Sequence, residues 1–93
     1  MPELHFSIRW PDGTAETCYS PSTLVRAHFA PGTRYPMAEF LARSRTALTA
    51  ASDRVRQRYG APCSLALAQL ARFETIGSRY DHTAQVLFES FKE

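Results

Sequence analysis

The chain has 93 residues, 44% of them apolar and 22% charged, a composition of one globular domain that excludes disordered and collagen-like classes. No run approaches the roughly 18 consecutive apolar residues of a membrane span. Eleven basic against nine acidic residues leave +2, less than a nucleic-acid-binding module of this size usually carries, so neither nucleic acid nor membrane is the expected partner.

MPELHFSIRWPDG lacks the basic start, apolar run and cleavage site of a secretory leader, and a cytoplasmic chain is expected. Within residues 3–10, Leu4, Phe6, Ile8 and Trp10 point one way and Glu3, His5, Ser7 and Arg9 the other, the alternation of a half-buried strand. Pro11-Asp12-Gly13-Thr14 is a turn, with Pro suited to its first central position and Gly to a positive φ. Ala15 to Ser20 reads as the return strand, with Cys18 on the face of Glu16 and Tyr19 on that of Thr17. Ser20 is a fair N-cap for a short helix with Pro21 at its first position. Leu24, Val25 and Phe29 supply its apolar side, and Pro31-Gly32 stops it. Residues 30–36, with two prolines and one glycine, are expected to be a loop.

Residues 37–59 form the clearest element. Met37, Phe40, Leu41, Ala47, Leu48, Ala51, Val55 and Tyr59 recur at helical steps and make one stripe. Pro36 suits its start and Gly60 the position after its end. Ser64 is a candidate cap for a second helix, 65–80, with Ala66, Leu70, Phe73, Ile76 and Tyr80 on one face. Gly77 within it suggests close packing. The short connection makes the two helices antiparallel neighbours. Residues 85–91 fit helix spacing through Leu87, Phe88 and Phe91. Read as a strand, they put Val86 and Phe88 on one face and Leu87 and Phe91 on the other. Length and Val/Phe content favour the strand. The expected fold is α+β: a small antiparallel hairpin sheet, two strands plus a C-terminal third, packed against two antiparallel helices.

No residue pattern announces catalysis. His5, His28 and His82 lack metal-ligand spacing, and no metal or cofactor is expected. Cys18 and Cys63 form neither zinc spacing nor a C-x-x-C motif, so two reduced thiols are expected. Cys63, just before a helix, is the better candidate for a reactive thiol. Ten of the eleven basic residues are Arg. Arg43 and Arg54 lie three helical turns apart, and Arg58 follows Arg54 at i+4. Such a row can receive an acidic partner helix or a phosphate, or simply cover the core edge with its stems. Arg45 and Arg56 flank the stripe on the other side. Trp10, Tyr19, Tyr35 and Phe40 are expected to gather at one end of the sheet. Phe40 reads as core, while Trp10 and Tyr35 stand open between core and interaction surface.

The segments MPELHFSIRWPDG, ETCYSPSTLV and PGTRYPMAEFLARSRTALTAASDRVRQRYG resemble the small nitrogen-starvation response protein family first labelled in mycobacteria. The match to its RWPDG, CYSPS, PG-x-x-Y, F-x-x-RSR-x-AL and A-S-x-RV-x-x-x-YG motifs is dense over residues 1–63. It marks Arg9, Trp10, Pro11, Asp12, Gly13, Cys18, Tyr19, Ser20, Pro21, Tyr35, Arg43, Ser44 and Arg45 without assigning them chemistry. The resemblance implies a bacterial gene cluster with a nitrilase, a radical SAM protein, an acetyltransferase, a flavoprotein oxidoreductase and a protein resembling a purine-biosynthesis synthase, linked to nitrogen scavenging and cyanide use. The first functional expectation is a non-enzymatic accessory protein. It would bind a cluster enzyme, or itself, through the sheet edge and the flanks of the Arg-bearing helix, with Arg9, Trp10, Tyr19, Tyr35, Arg43, Arg45, Arg54 and Arg58 as candidate contacts. The second is an anionic or nitrile-derived metabolite held by Arg43 or Arg45 and an aromatic ring. An enzyme using Cys18 or Cys63 ranks third.

Overall fold

The alternation at the start of the chain becomes the centre of a sheet. The computed structural model, which describes residues 3–92, has strands β1 (Leu4–Arg9), β2 (Ala15–Ser20), β3 (Thr33–Pro36) and β4 (Gln85–Lys92). Helix α1 is Met37–Tyr59 and helix α2 is Ser64–Gly77. All pairings are antiparallel, in the order β2-β1-β4-β3. Leu4, Phe6, Ile8, Cys18, Tyr35, Val86 and Phe88 are buried, while His5, Arg9, Thr17 and Arg34 are exposed. The sheet therefore has one face under the helices and one open face.

The β1–β2 hairpin closes as its sequence suggests. The Gly13 amide donates to the Trp10 carbonyl at 2.8 Å, Gly13 has φ 91°, and the Trp10 amide donates to the Thr14 carbonyl. This is a turn followed by a left-handed residue, a conformation glycine adopts without steric cost. The Asp12 carboxylate accepts from the Thr14 amide at 2.9 Å, which holds the Asp12 carboxyl below its ordinary range.

Four expectations are corrected. Residues 30–36 are not all loop: Thr33–Pro36 forms β3, the fourth strand, paired with β4. The four residues between Pro31 and Pro36 show too little alternation to read, and Pro36 is tolerated at the end of an edge strand because no ladder donor is needed there. The short helix is a 3-10 helix, Thr23–Ala27, capped by Ser22 rather than Ser20. Ser22 Oγ accepts from the Leu24 amide, while Ser20 Oγ donates to the Ser22 carbonyl and fixes the turn before it. Ser64 does not cap α2; it is the first helical residue, and Cys63 occupies the cap position without a side-chain cap bond. Phe91 does not share a face with Leu87. The β1–β4 register jumps between Ser7/Ser90 and Ile8/Phe88, leaving Glu89 as an extra residue. This bulge reverses the phase of β4 and returns Phe91 to the Phe88 side, at 4.9 Å between ring centroids.

The two helices run antiparallel. Gly77 meets Met37 and Leu41, Arg45 reaches Glu74, and the Cys63 amide donates to Ser52 Oγ. A Cβ at Gly77 would stand 2.9 Å from Leu41 Cδ1, so its absence permits the close approach that the sequence suggests. The core between helices and sheet is aromatic. Phe73 lies 5.1 Å from Phe40, 5.8 Å from Trp10 and 6.3 Å from Phe6. Phe29 stacks on Phe88 at 4.8 Å. The stripe of α1 buries Met37, Phe40, Ala47, Leu48 and Ala51, along with Ser44 and Ser52, but Tyr59 at its end is exposed. No helix among the described residues is long and apolar enough to cross a membrane.

Candidate functional site

The candidate residues fall into separate places rather than one centre. Trp10 is in the core, 4% exposed, with its ring against Phe40 and Phe73. Burying an indole leaves an N–H to satisfy. Here Nε1 donates to Glu16 Oε1 at 3.1 Å, and Arg72 of α2 grips the same carboxylate with Nε at 2.8 Å and a terminal nitrogen at 3.0 Å. The Arg72 bonds, followed by the Trp10 bond, hold the Glu16 carboxyl below its ordinary range. This link fastens β2 to α2. Sequence reading missed Glu16 and Arg72, which lie 56 residues apart with no spacing signal.

On the open sheet face, Glu89 at the bulge accepts from Ser7 Oγ at 2.9 Å and Arg9 Nε at 3.2 Å. The Ser7 bond is the main reason its carboxyl is lowered, with Arg9 adding to it. Arg9 also donates to the Gly13 carbonyl. An ionised acceptor tied to two donors is a poor general base, so this group reads as a brace between β1, β4 and the hairpin turn.

Tyr35, 6% exposed, is buried against Phe29, and its hydroxyl accepts from the Ala30 amide at 2.9 Å. Arg43 lies over the Tyr35 ring at 5.1 Å and donates to the His28 carbonyl at 2.9 Å. Arg45, on the other flank of α1, pairs with Glu74 of α2 at 2.6 Å. The two arginines of the RSR motif therefore serve different contacts. Cys18 is buried, 1% exposed, and burial pushes its thiol far up, away from nucleophilic character. Cys63 is partly buried at the start of α2.

The most distinctive surface lies where α1 turns into α2. Tyr59, Leu65 and Leu67 are the exposed large hydrophobic side chains, at 64, 63 and 42%. Beside them are two cavities with Tyr19 as a shared wall. One, of about 300 Å³, also has Glu3, Pro21, Val55, Tyr59 and Cys63. The other, of about 370 Å³, has Leu65, Ala68, Gln69 and Arg72. Tyr19 comes from edge strand β2. Its amide donates to Gln69 Oε1, so the helix covers the edge at that point. Its ring lies edge-on to His5 at 5.6 Å, and burial, then Cys63 and Glu3, push its phenol up. Arg58 lies over the Tyr59 ring at 5.9 Å. Arg56 pairs with Asp53, whereas Arg54 and Arg58 have no carboxylate partner among the described residues. Exposed apolar side chains and the Arg58 guanidinium therefore share this end of the helix pair. Of the sequence candidates, Tyr19, Arg58 and Cys63 contribute to it, while Arg54 lines a separate cavity with Leu24, Ala50, Asp53 and Gln57. The stripe spacing predicts a buried Tyr59, and nothing in the sequence marks Leu65 and Leu67 as exposed. Among the described residues, no group of three or more His, Cys, Asp or Glu side chains is placed to hold a metal ion.

Neither the curated proteins nor the solved structures contain a match to this chain. A family model does match, over residues 5–91, so that it spans all four strands, both helices and the surface at the α1–α2 turn. By that match the chain belongs to the NitG family, described as nitrogen starvation-induced protein NitG.

Proposed function

We propose that this protein is a non-enzymatic accessory factor of a bacterial nitrogen-starvation response, acting in the cytoplasm by binding an enzyme encoded in the same gene cluster. The observation that carries the reading is the pair of exposed side chains Tyr59 and Leu65, each lining one of two cavities that share Tyr19 as a wall, with a third exposed leucine, Leu67, one half-turn further along α2. Water contact with three large apolar side chains is unfavourable, and covering them is a driving force for association. Arg58 lies over the Tyr59 ring and has no carboxylate partner among the described residues. The occupant is therefore a protein segment with apolar residues and nearby carboxylates. The nitrogen-starvation setting comes from the family, and the enzyme partner from the gene cluster that the family resemblance implies.

The test is size exclusion with light scattering on the protein alone and mixed with the neighbouring nitrilase. A shared peak of fixed stoichiometry that is lost in the Tyr59→Ser/Leu65→Ser variant supports the proposal. Separate peaks with the nitrilase remove that enzyme as the partner. A dimer of the chain alone that the same double variant dissociates replaces the enzyme partner with a second copy.

A further inference from the structure

The chain carries a net charge of +2, yet the cavity of about 300 Å³ beside Tyr59 is acidic. Its wall is Glu3, Tyr19, Pro21, Val55, Tyr59 and Cys63, a set with one carboxylate and no Arg, Lys or His. Most other carboxylates are taken up within the fold. Glu16, Glu39, Asp53, Glu74 and Glu89 each pair with an arginine, and Asp12 accepts from the Thr14 amide. Glu3 has neither an ion pair nor a hydrogen bond among the described residues.

Aromatic groups stand around that free carboxylate. Burial pushes the Tyr19 phenol up, and Cys63 and Glu3 push it further, so both lie near its oxygen. Tyr59 supplies a second phenol on the same wall. A phenol ring attracts a cation over its face, and its oxygen accepts a hydrogen bond from an ammonium group. Two positive charges lie nearby. Arg58 stands over the Tyr59 ring at 5.9 Å but is not part of the cavity wall. The start of α2, after Cys63, carries about half a positive charge, less than the whole negative charge on Glu3. The volume is at the lower end of cavities that take small ligands, which suits a cation with a few carbons.

We infer that this cavity binds a small alkylammonium cation, with Glu3 as its counter-ion and Tyr19 and Tyr59 beside its alkyl groups. The inference does not rest on the enzyme partner, because one copy of the chain supplies every group that holds the ligand. Binding of the cation and binding of a protein at Leu65 and Leu67 can therefore fail separately.

The test is an amide NMR titration of the chain alone with propylammonium chloride and with tetramethylammonium chloride. Each is run against sodium chloride at equal ionic strength, near neutral pH. Saturable shifts of the Tyr19, Tyr59 and Cys63 amides are expected with at least one of the two organic cations. Tighter binding of propylammonium assigns the affinity chiefly to hydrogen bonds with Glu3 and the phenol oxygens, and tighter binding of tetramethylammonium assigns it chiefly to the rings. Glu3→Gln weakens binding about tenfold, as expected for loss of one charge-assisted contact. Asp81→Asn removes an equal charge beyond the far end of α2 and leaves the affinity unchanged. Arg58→Gln removes a nearby positive charge and does not weaken binding. Glu3 is exposed and precedes β1, so its substitution tests the site without testing the fold. Shifts that sodium reproduces, shifts that do not saturate, or wild-type affinity in Glu3→Gln would overturn the inference.

Discussion

Around Phe73, the rings of Phe6, Trp10 and Phe40 enclose one another beneath the sheet. Around Tyr59, only about twenty residues further along α1 than Phe40, large apolar side chains face water. Both regions are served by the same two helices. The difference lies in what the sheet can cover. β1 and β4 lie under the first half of α1 and the second half of α2, where the bulky residues of all four elements meet. Past Ala51, the α1 stripe runs beyond the strands, and Val55 and Tyr59 meet edge residues and the N-terminal segment instead. One end of the helix pair is enclosed, and the other keeps large apolar side chains exposed.

Phe73→Ala is the most damaging way to break this contrast. The ring is 1% exposed and touches three other aromatic rings, so truncation leaves a cavity and costs about 3–5 kcal/mol. Urea unfolding should show the midpoint collapse with little change in slope. Gly77→Val comes next. Its Cβ would stand 2.9 Å from Leu41 Cδ1 and 3.2 Å from Met37 Sδ, and a branched side chain adds more bulk. Overpacking of this kind costs about 1–3 kcal/mol. Gly77→Ala should be much milder, because the ends of Leu41 and Met37 can shift and alanine favours the helix.

Glu16→Gln is expected to cost about 1–2 kcal/mol, reflecting a weakened acceptor for the buried Trp10 indole more than the pair with Arg72, whose side chain is 60% exposed. Its pH signature is more informative than its size. Glu16 and Glu89 both have lowered carboxyl pKa values in the folded chain. Their stabilising effect is therefore fully present above the ordinary carboxylate range and is lost as pH falls through the lowered values. Stability measured from pH 6 down to pH 2 should drop less steeply in Glu16→Gln than in the wild type. Equal slopes would show that Glu16 has the same proton affinity folded and unfolded.

The well-enclosed region is also where sequence reasoning reached furthest. Leu4-Phe6-Ile8-Trp10 and the α1 stripe carry strong periodicity because burial on one face selects it, and the hairpin turn is written in Pro11-Asp12-Gly13. β3 was hidden because Thr33-Arg34-Tyr35 is too short to show a period. Simple alternation puts Phe91 on the face of Leu87, because a one-residue bulge at Glu89 leaves no local mark. Ser44 and Ser52 looked polar, yet both are buried, and Ser52 holds the Cys63 amide. The candidate surfaces were less legible still. Arg43 and Arg45 look alike in a string of letters, and only the position of Glu74 separates them. Tyr59 continues a core stripe in sequence, and its exposure depends on where the sheet stops.

Cys63→Ser gives an effect of opposite sign at the open end. Cys63 occupies the N-cap of α2 with extended backbone and makes no side-chain cap bond. Serine is among the preferred residues there because its oxygen accepts from the first-turn amides. The thiol packs partly against the core, which offsets some of the gain. A net gain of about 0.5 kcal/mol, and a correspondingly higher Tm, is expected. A loss would mean that packing of the sulfur outweighs the cap.

The smallest stability effect belongs to Tyr59→Ser/Leu65→Ser, and its smallness sharpens the contrast. Side chains 64 and 63% exposed contribute little to a monomer, so the change should stay within about 0.5 kcal/mol per site. Phe73→Ala removes comparable apolar bulk at several times the cost, because there the bulk fills a packed interior. A larger loss at Tyr59 and Leu65 has a specific meaning that protein concentration can resolve. If wild-type stability rises with concentration and the variant's does not, the two side chains are being covered by a second copy, and stability is linked to association. If neither depends on concentration and the variant is as stable as the wild type, the surface adds nothing to folding and is free for another protein.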